Sequence, residues 1–402
     1  MRRKKFQSFG HAVVSFAFFT LAAGAQSSYP LNADPTVRDG FQHFYNLDFD
    51  GAMQRFQEVQ HAHPQDPMAA AYLLTDTIFR ELYRQDLLDT TYYAHEHFLS
   101  SGHKSDVSDA TRQQVDDLTS TAVGLADARI KANGSDKDAY FARGYAKGMH
   151  AAWMTLVDHS FTGAARQGLA SRNDSEQVLK LDPNYSDAKM AVGIQLFAVA
   201  SLPRLVRMLV GIAGVGGNKE QGLTLLRESA AHGTVTKVES QTALSLFLRH
   251  DHRYADAYAV AQGLAKQYPH DFLFRLEEAN LMKDAGQGPK AIALYRTVLD
   301  DAAKPGYFVE PRLQLAYFGL GETERGQGAI NDAAISYMKA SAQPKCSDWM
   351  RKRAQLAAGM MFDLLHRRED ALVQYRLASA PGGDQTQASE ARKYLRTPYS
   401  GT

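Results

Sequence analysis

Residues 317–337 read YFGLGETERGQGAINDAAISY, and the spacing of their small and aromatic residues decides the fold. Gly321 is followed twelve residues later by Ala333, and after four more by Tyr337. The same spacing recurs in three other C-terminal stretches: Ser245 with Ala257 and Ala261, Ala279 with Ala291 and Tyr295, and Gly359 with Ala371 and Tyr375. The alanines lie 34, 42 and 38 residues apart, a period typical of helical repeat arrays.

Apolar residues around these positions follow a helical period. Ile292, Tyr295 and Leu299, for example, share one face of a helix. Alternation with period two, bounded by turn residues, does not recur. A small residue in each first helix lets the second helix approach closely, and the aromatic residue fills the space toward the next pair. The sequence therefore predicts an all-α fold, an α-solenoid of antiparallel helix pairs with contacts only between neighbouring pairs.

These segments resemble the tetratricopeptide repeat, whose first helix carries W-x2-L-G-x2-Y and whose second carries A-x3-F before a proline. The best match is Tyr317-x2-Leu320-Gly321 followed by Ala333-x3-Tyr337. No copy has the tryptophan, and the copies built on Ser245 and Ala279 lack the glycine. The resemblance implies a superhelix whose concave face is lined by the first helix of each pair and binds a protein or peptide.

The pattern divides the chain into a signal peptide at residues 1–25, an irregular helical-hairpin region at 26–218 and a C-terminal array at 219–402. One N-terminal unit, Gly40 with Ala52 and Phe56, repeats the spacing of the array. The period is then lost up to residue 218. Long helices are predicted in this region at Asp109–Ala132, Lys137–His159 and Gly163–Lys180. A final helix, Thr386–Leu395, is predicted to cap the array.

A second resemblance covers the join between these regions. Residues 202–226, LPRLVRMLVGIAGVGGNKEQGLTLL, look like the middle of a eukaryotic tetratricopeptide family linked to the mitochondrial outer membrane and to the clearance of inclusion bodies and lipid droplets. That family also joins long irregular hairpins to C-terminal repeats. Its members are intracellular, whereas this chain begins with an export signal, so the resemblance implies the layout rather than the cellular role.

The N-terminus is predicted to be a cleaved signal peptide. Four basic residues at positions 2–5 precede an apolar run from Ala12 to Ala23, and Ala23-Gly24-Ala25 fits the site that a signal peptidase accepts. The run is shorter than the roughly 20 residues of a membrane-spanning helix. We therefore expect cleavage after Ala25 and a periplasmic or secreted protein, while an uncleaved anchor remains the alternative.

The charge balance argues against a nucleic-acid partner. Of 45 basic residues, 41 remain after cleavage, against 44 acidic residues, which gives a net charge of −3. Such a chain has no basic footprint for a phosphate backbone. Cys346 is the single cysteine, so no disulfide can form within the chain, and we expect it to be an inert, partly buried residue.

No motif indicates catalysis, a cofactor or a metal. The pairs His95 with His97 and His250 with His252 lie two residues apart, whereas a zinc pair on a helix needs a spacing of four. The glycine-rich stretch 211–219 lacks the Ser or Thr that follows the lysine of a phosphate loop. We therefore expect a protein that is not an enzyme and that has no catalytic residue, metal site or cofactor.

The most probable function from sequence is that of an exported, non-catalytic scaffold or adaptor that binds a peptide or protein. The alternative is an envelope-associated binder of a lipid or small ligand that uses the apolar hairpin at 202–217, and this hairpin could also dock on a membrane surface. An enzyme of unknown class comes third. By register with the family, the partner-binding groove is lined by seven residues of the first helices: Arg249, Asn280, Lys283, Glu322, Arg325, Met360 and Asp363.

Overall fold

The computed structural model describes residues 27–93, 105–202, 216–382 and 385–401. Within these ranges the chain forms seventeen α-helices and three short 3-10 turns, and no strand. The helices of the N-terminal half are α1 (Pro35–Phe44), α2 (Phe49–Ala62), α3 (Pro67–Arg84), α4 (Asp109–Ala132), α5 (Lys137–Leu156), α6 (Phe161–Leu181), α7 (Lys189–Ser201) and α8 (Lys219–His232). Those of the C-terminal half are α9 (Lys237–His250), α10 (Tyr254–Gln267), α11 (Phe272–Asp284), α12 (Gly288–Ala302), α13 (Leu313–Gly326), α14 (Ile330–Ser341), α15 (Asp348–Leu364), α16 (Arg368–Ala378) and α17 (Gln385–Arg396).

Consecutive helices pack on each other along the chain and form eight antiparallel hairpins. Hairpin 1 is α1 with α2, hairpin 2 is α3 with α4, and the numbering continues to hairpin 8, α15 with α16. Helix α17 packs on both helices of hairpin 8 and caps the row. This arrangement confirms the predicted all-α solenoid and its tetratricopeptide-like hairpins.

The turn inside each hairpin repeats one backbone feature. A residue with positive φ lies two positions before the first residue of the second helix in six of the described hairpins: Leu47, His159, His252, Gly286, Gly328 and His366. A left-handed residue at this point ends the first helix and reverses the chain. Hairpins 1 and 3 share this turn with hairpins 5–8, so they are units of the same kind. The turn at His159 also explains why α5 ends at Leu156, before the predicted His159, and why α6 begins at Phe161.

The repeated glycines allow the close approach that the sequence predicts. A Cβ atom built on Gly321 would lie 2.9 Å from the ring of Tyr337. The corresponding distance is 2.6 Å for Gly359 and Tyr375, and also 2.6 Å for Gly40 and Phe56 in hairpin 1. Such distances leave no room for a side chain. The Gly–aromatic contact is therefore the packing unit at both ends of the molecule.

The start of the helices differs between the two halves. Aspartates cap α1, α2, α3 and α5 by accepting a hydrogen bond from a backbone N–H of the first turn. Helices α13–α16 begin without such a side-chain bond. An N-cap contributes about 1 kcal/mol. Helices α13–α16 therefore depend more on packing between pairs than on local signals, whereas α11 is capped by Asp271.

Hairpin 2 departs from the others by an insertion. Asp86 has the positive φ of the hairpin turn, but α4 begins only at Asp109. The first part of this insertion lies against the first helices of hairpins 6, 7 and 8: the carboxylate of Asp86 pairs with Arg312, and Asp89 with Asn280. The expectation that contacts join only neighbouring pairs is therefore wrong, because residues more than 190 positions apart in the chain are hydrogen-bonded.

Three predictions fall on residues that lie wholly or mostly outside the described ranges. They are the signal peptide, the His95–His97 pair and the apolar hairpin at 202–217, of which only residues 202, 216 and 217 are described. Across the described helices, none is long and apolar enough to cross a membrane.

Candidate functional site

The first helices of hairpins 5–8 are α9, α11, α13 and α15. The resemblance to the tetratricopeptide repeat predicts that they line a partner-binding groove, and the side that they share is called the groove from here on. Residues 83–93, here called the resident segment, lie against these helices. The segment comprises the end of α3, the turn that follows it and a single 3-10 turn at Thr90–Tyr92. The groove therefore already holds a short stretch of polypeptide, and its chemistry can be read from the contacts.

The first contact region surrounds the carboxylate of Asp86, which is fully buried. Arg312 donates from Nε to Oδ1 at 2.8 Å, and Gln314 donates from Nε2 to the same oxygen at 2.6 Å. The backbone N–H of Ser347 donates to Oδ2 at 2.9 Å. The side chain of Arg312 is only 2% exposed, so this is an ion pair removed from water. Such a pair is stable only when its remaining hydrogen-bonding capacity is also satisfied, as it is here.

The second contact region holds Asp89 and Thr90. Asn280 donates from Nδ2 to the Asp89 carboxylate at 3.0 Å and accepts from the Tyr295 hydroxyl at 2.6 Å. Arg249 donates to the Thr90 hydroxyl at 2.9 Å and to the Asp284 carboxylate at 2.6 Å. The Asn280 and Arg249 side chains are therefore engaged by the chain itself rather than open to solvent.

Glu277 completes this second region. It accepts a hydrogen bond from the Thr90 hydroxyl and lies 3.3 Å from Arg249. Burial raises the pKa of Glu277, and the positive charge of Arg249 opposes that rise. The Glu277 carboxylate and the Arg249 guanidinium hold each other in place, and together they position the Thr90 hydroxyl.

The third contact region is aromatic. The ring of Tyr92 lies edge-on to Trp349, with ring centres 5.1 Å apart, and its hydroxyl donates to Sδ of Met350 at 3.4 Å. The guanidinium of Arg353 lies over Tyr92 at 5.3 Å and over Phe318 at 4.8 Å. Stacking on two rings orients this guanidinium while leaving its edge available for a hydrogen bond.

The backbone of the resident segment is bound as well as its side chains. Arg312 donates from Nη2 to the carbonyl of Arg84 at 2.6 Å, and the indole N–H of Trp349 donates to the carbonyl of Gln85 at 2.8 Å. In the other direction, the Tyr83 hydroxyl donates to the carbonyl of Glu310. The groove therefore recognises peptide carbonyls in addition to carboxylates and an aromatic ring.

The remaining predicted groove residues differ in exposure and in the groups that they contact. Arg325 has a side chain that is 40% exposed and sits 3.9 Å from Glu322. Lys283 is half-buried beside Asp284, and Met360 packs partly against the core. Asp363 is instead enclosed, since it accepts hydrogen bonds from Tyr375, Arg368 and the backbone of Tyr399.

Of the residues predicted by sequence register, Arg249 and Asn280 both contact the resident segment. Glu322 and Arg325 lie near each other on α13. Whether these residues bind a partner stays a prediction. The register missed the residues that hold the segment most tightly: Arg312, Gln314, Trp349 and Arg353. Trp349 is one of two tryptophans in the chain, which is the one sequence signal that could have drawn attention to this helix.

Reactive groups in and near the groove are few. Cys346 is 8% exposed, and burial raises the pKa of its thiol to about 12, so it stays protonated at neutral pH. Within the part of the chain that the structure describes, no three His, Cys, Asp or Glu side chains are grouped so that they could hold a metal ion.

Comparison with known proteins adds to the description of the fold only. No protein-family model matches the sequence, and no curated protein matches it. Solved structures are similar to this chain, and three of them serve as examples. They are yeast Tom70 (11% identity, 90% of this chain and 87% of that chain, TM-score 0.43), a tetratricopeptide repeat protein from Parabacteroides merdae ATCC 43184 (14%, 80% and 97%, 0.36) and the human IFIT1 dimer with m7Gppp-AAAA (10%, 92% and 83%, 0.45). At this level of similarity they carry no argument about function, and the description of the fold rests on the hairpins themselves.

Proposed function

We propose that the chain is an exported, non-catalytic scaffold that binds a peptide or protein through the concave groove of its C-terminal array. The observation that carries the proposal is the resident segment. The groove holds a polypeptide through carboxylates, an aromatic ring and peptide carbonyls. Every polypeptide offers peptide carbonyls, and many also offer carboxylates and aromatic rings, so the surface has the chemistry of a peptide-binding site.

The proposed entry point for a partner is the part of the groove that the resident segment leaves open. Arg325 offers a half-exposed guanidinium that can bind a carboxylate with two parallel hydrogen bonds. Met360 offers a flexible apolar contact, and Lys283 a second cation. The mixed chemistry suits an extended polypeptide better than a nucleic acid or a membrane surface, both of which we exclude from the proposal.

A catalytic role is less well supported, because the polar groups of the groove are used in fixed pairs. Arg249 is bonded to Asp284 and Thr90, and Arg312 to Asp86. A reaction needs a group that is free to take or give a proton beside a substrate. We therefore propose no catalytic residue and no cofactor.

Export after Ala25 belongs to the same proposal and has a direct measurement. N-terminal sequencing of the protein from its native source should give Gln26 or a neighbouring residue, because the leader has the charge, apolar run and small residues of a signal peptide. An intact Met1 on most molecules would contradict export.

The groove itself is tested by a pair of matched double variants in the mature chain. Arg325→Ala with Met360→Ala removes a guanidinium and an apolar side chain from the open part of the groove. Arg376→Ala with Leu377→Ala removes the same two kinds of group from the outer surface of α16, where both residues are exposed. The proteins that the wild type and each of the two variants retain are identified and compared by quantitative mass spectrometry.

The expected result is that the groove variant loses the proteins that the wild type retains, while the outer-surface variant keeps them. Both variants should keep the helical circular dichroism of the wild type. The outer-surface variant should also keep its melting temperature, since exposed side chains contribute little to stability, whereas the groove variant should melt a few degrees lower because Met360 packs partly against the core. Equal recovery by the two variants would place the binding surface outside the groove.

A further inference from the structure

The insertion of hairpin 2 gives the groove a ligand of defined sequence. Residues 86–92 read DLLDTTY, with acidic residues three positions apart and a tyrosine three positions after the second. Each of these three side chains enters its own contact region: Asp86 at Arg312 and Gln314, Asp89 at Asn280, and Tyr92 at Trp349.

The resident segment depends on the groove for its conformation. Its own backbone hydrogen bonds are short-range turns, such as Asp86 N–H to Tyr83 O and Tyr92 N–H to Asp89 O. The segment is neither a full helix nor a strand between Gln85 and Tyr93. Its position is therefore fixed mainly by side chains on or next to α9, α11, α13 and α15. A second polypeptide with the same side chains would find the same partners.

The charge of the groove agrees with such a ligand. Arg312 and Arg353 face the segment, and the guanidinium of Arg353 has no carboxylate within ion-pair distance among the described residues. Within the described part of the chain, the buried Arg312 forms an ion pair with one carboxylate, that of Asp86. A ligand lacking that carboxylate would leave a buried guanidinium unpaired, which is strongly unfavourable. The groove therefore selects for an acidic residue at this point.

We propose that the groove is a recognition site for polypeptides carrying the pattern Asp-x-x-Asp-x-x-Tyr, and that residues 86–92 are a resident copy which such a partner replaces. This rests on the proposed function and names the chemical class of its partner. The resident copy is tethered next to the groove and acts at a high effective concentration. A free partner then binds in proportion to the fraction of molecules in which the groove is vacated.

The test uses the full mature chain and a fluorescent peptide with the sequence of residues 85–93, QDLLDTTYY. The control peptide has asparagine in place of both aspartates. Binding is measured by fluorescence anisotropy to the wild type and to the variant Asp89→Asn with Tyr92→Ala, which weakens the resident copy but leaves Arg312 paired with Asp86.

We expect the variant to bind the acidic peptide at least about tenfold more tightly than the wild type does, because a larger fraction of its grooves is open. The asparagine peptide should bind neither protein. Equal affinity of the two proteins for the acidic peptide, or equal affinity of the variant for both peptides, would overturn the proposal.

A second measurement decides the matter if the variant does not fold. Hydrogen exchange of the wild type is followed with and without millimolar acidic peptide. Faster exchange at residues 86–92 with the acidic peptide, and not with the control peptide, supports replacement, and an unchanged pattern overturns it. A wild-type dimer that the acidic peptide dissociates would assign the exchange to two copies of this chain and would overturn the assignment to a separate partner.

The two proposals fail separately. If the acidic peptide does not replace the resident segment, but Arg325→Ala with Met360→Ala still abolishes partner recovery, the array binds partners through its open part alone. If partner recovery is unaffected by that variant, the proposed function fails whatever the peptide does.

Discussion

Hairpins 5–8 and hairpins 1–3 are built on the same turn, yet only the first group is recognisable as a regular array in the sequence. A left-handed residue precedes the second helix by two positions in hairpins 5–8 and in hairpins 1 and 3, as at Gly328 in hairpin 7 and Leu47 in hairpin 1. In hairpin 2 the left-handed Asp86 is followed by the insertion instead. The N-terminal group differs in its longer helices, such as the 24-residue α4, and in the insertion after Asp86. Hairpins can therefore be similar in structure without a regular period in their sequence, once their helices differ in length or one of them contains an insertion.

The insertion also changes the relation between the two groups. In an open solenoid each hairpin contacts only its neighbours, and stability is nearly a sum over adjacent pairs. Here the resident segment of hairpin 2 is bonded to hairpins 6, 7 and 8, and the Tyr45 hydroxyl of hairpin 1 donates to Glu239 of hairpin 5. The N-terminal and C-terminal groups are thereby connected directly.

The largest effect is expected from Arg312→Ala. The substitution leaves the carboxylate of Asp86 buried without its guanidinium, which typically costs about 3–5 kcal/mol. If the pair joins the two groups, urea unfolding followed by circular dichroism should also change from one transition to two. The control is Lys345→Ala, which removes a 2.8 Å ion pair with Glu310 whose side chains are 65% and 45% exposed. It should change stability by no more than about 1 kcal/mol. Equal effects of the two substitutions would mean that the buried pair does not connect the groups.

Substitution of glycine by alanine is expected to change the free energy of unfolding by a smaller amount, and the sign of the change depends on the site. At Gly359 and Gly40 the added methyl group meets an aromatic ring at 2.6 Å, and each substitution should destabilise the protein by about 1–3 kcal/mol. At Gly263 in α10 no atom lies within 4 Å, so the same substitution should stabilise it by up to about 1 kcal/mol. Thermal unfolding of the three variants gives the comparison. A neutral result at Gly40 beside a large one at Gly359 would show that hairpin 1 is packed differently from hairpin 8.

The smallest effect is expected from pH and belongs to the N-terminal group. Asp76 on α3 is fully buried, and its two carboxylate oxygens have no hydrogen-bond partner within the described residues. Burial raises its pKa to about 7, while Arg80, 3.6 Å away, lowers it and Asp50 and Asp48 raise it further. The folded chain then holds this proton at a pH where the unfolded chain, with a pKa near 3.8, has released it. Stability should therefore fall as the pH rises from about 4 to about 7.

Asp76→Asn measures that contribution. The difference in unfolding free energy between pH 5 and pH 8 should be smaller in the variant than in the wild type, by an amount on the order of 1 kcal/mol. Urea titrations at the two pH values provide the measurement. Parallel pH profiles for the two proteins would show that Asp76 is not the titrating group.

The sequence predicted the array, the close approach at the glycines and most helix limits, because these depend on residues at short, repeated spacing. It assigned the aromatic residues to the space toward the next pair, whereas Tyr337 and Tyr375 also lie against Gly321 and Gly359 of their own hairpins. The predicted Asp109–Ala132 is the observed α4, and the predicted cap Thr386–Leu395 lies within the observed Gln385–Arg396. The turns in hairpins 1, 3, 5 and 8 could not be read in the same way. Their left-handed residues are Leu47, His159, His252 and His366, which favour that conformation less than glycine does.

The sequence predicted that Arg249 and Asn280 belong to a partner-binding face, and that role stays a prediction. Register gave no sign that Thr90 and Asp89 would be hydrogen-bonded to these two residues. These contacts join residues 159 and 191 positions apart and have no period. A single sequence carries no local signal for such a pairing, and the partner residues are ordinary polar types.

The bonded contact between hairpin 2 and hairpins 6, 7 and 8 also sets the number of hairpins. Arrays of this kind can lengthen by duplication of one unit, since a new unit needs only its two neighbours. In this chain a hairpin added or deleted between α4 and α11 would rotate Asn280, Arg312 and Trp349 away from the resident segment together. The contact of the insertion is therefore compatible with only one number of intervening hairpins. A relative with a different number of repeats would have to lack the insertion or carry it in another hairpin.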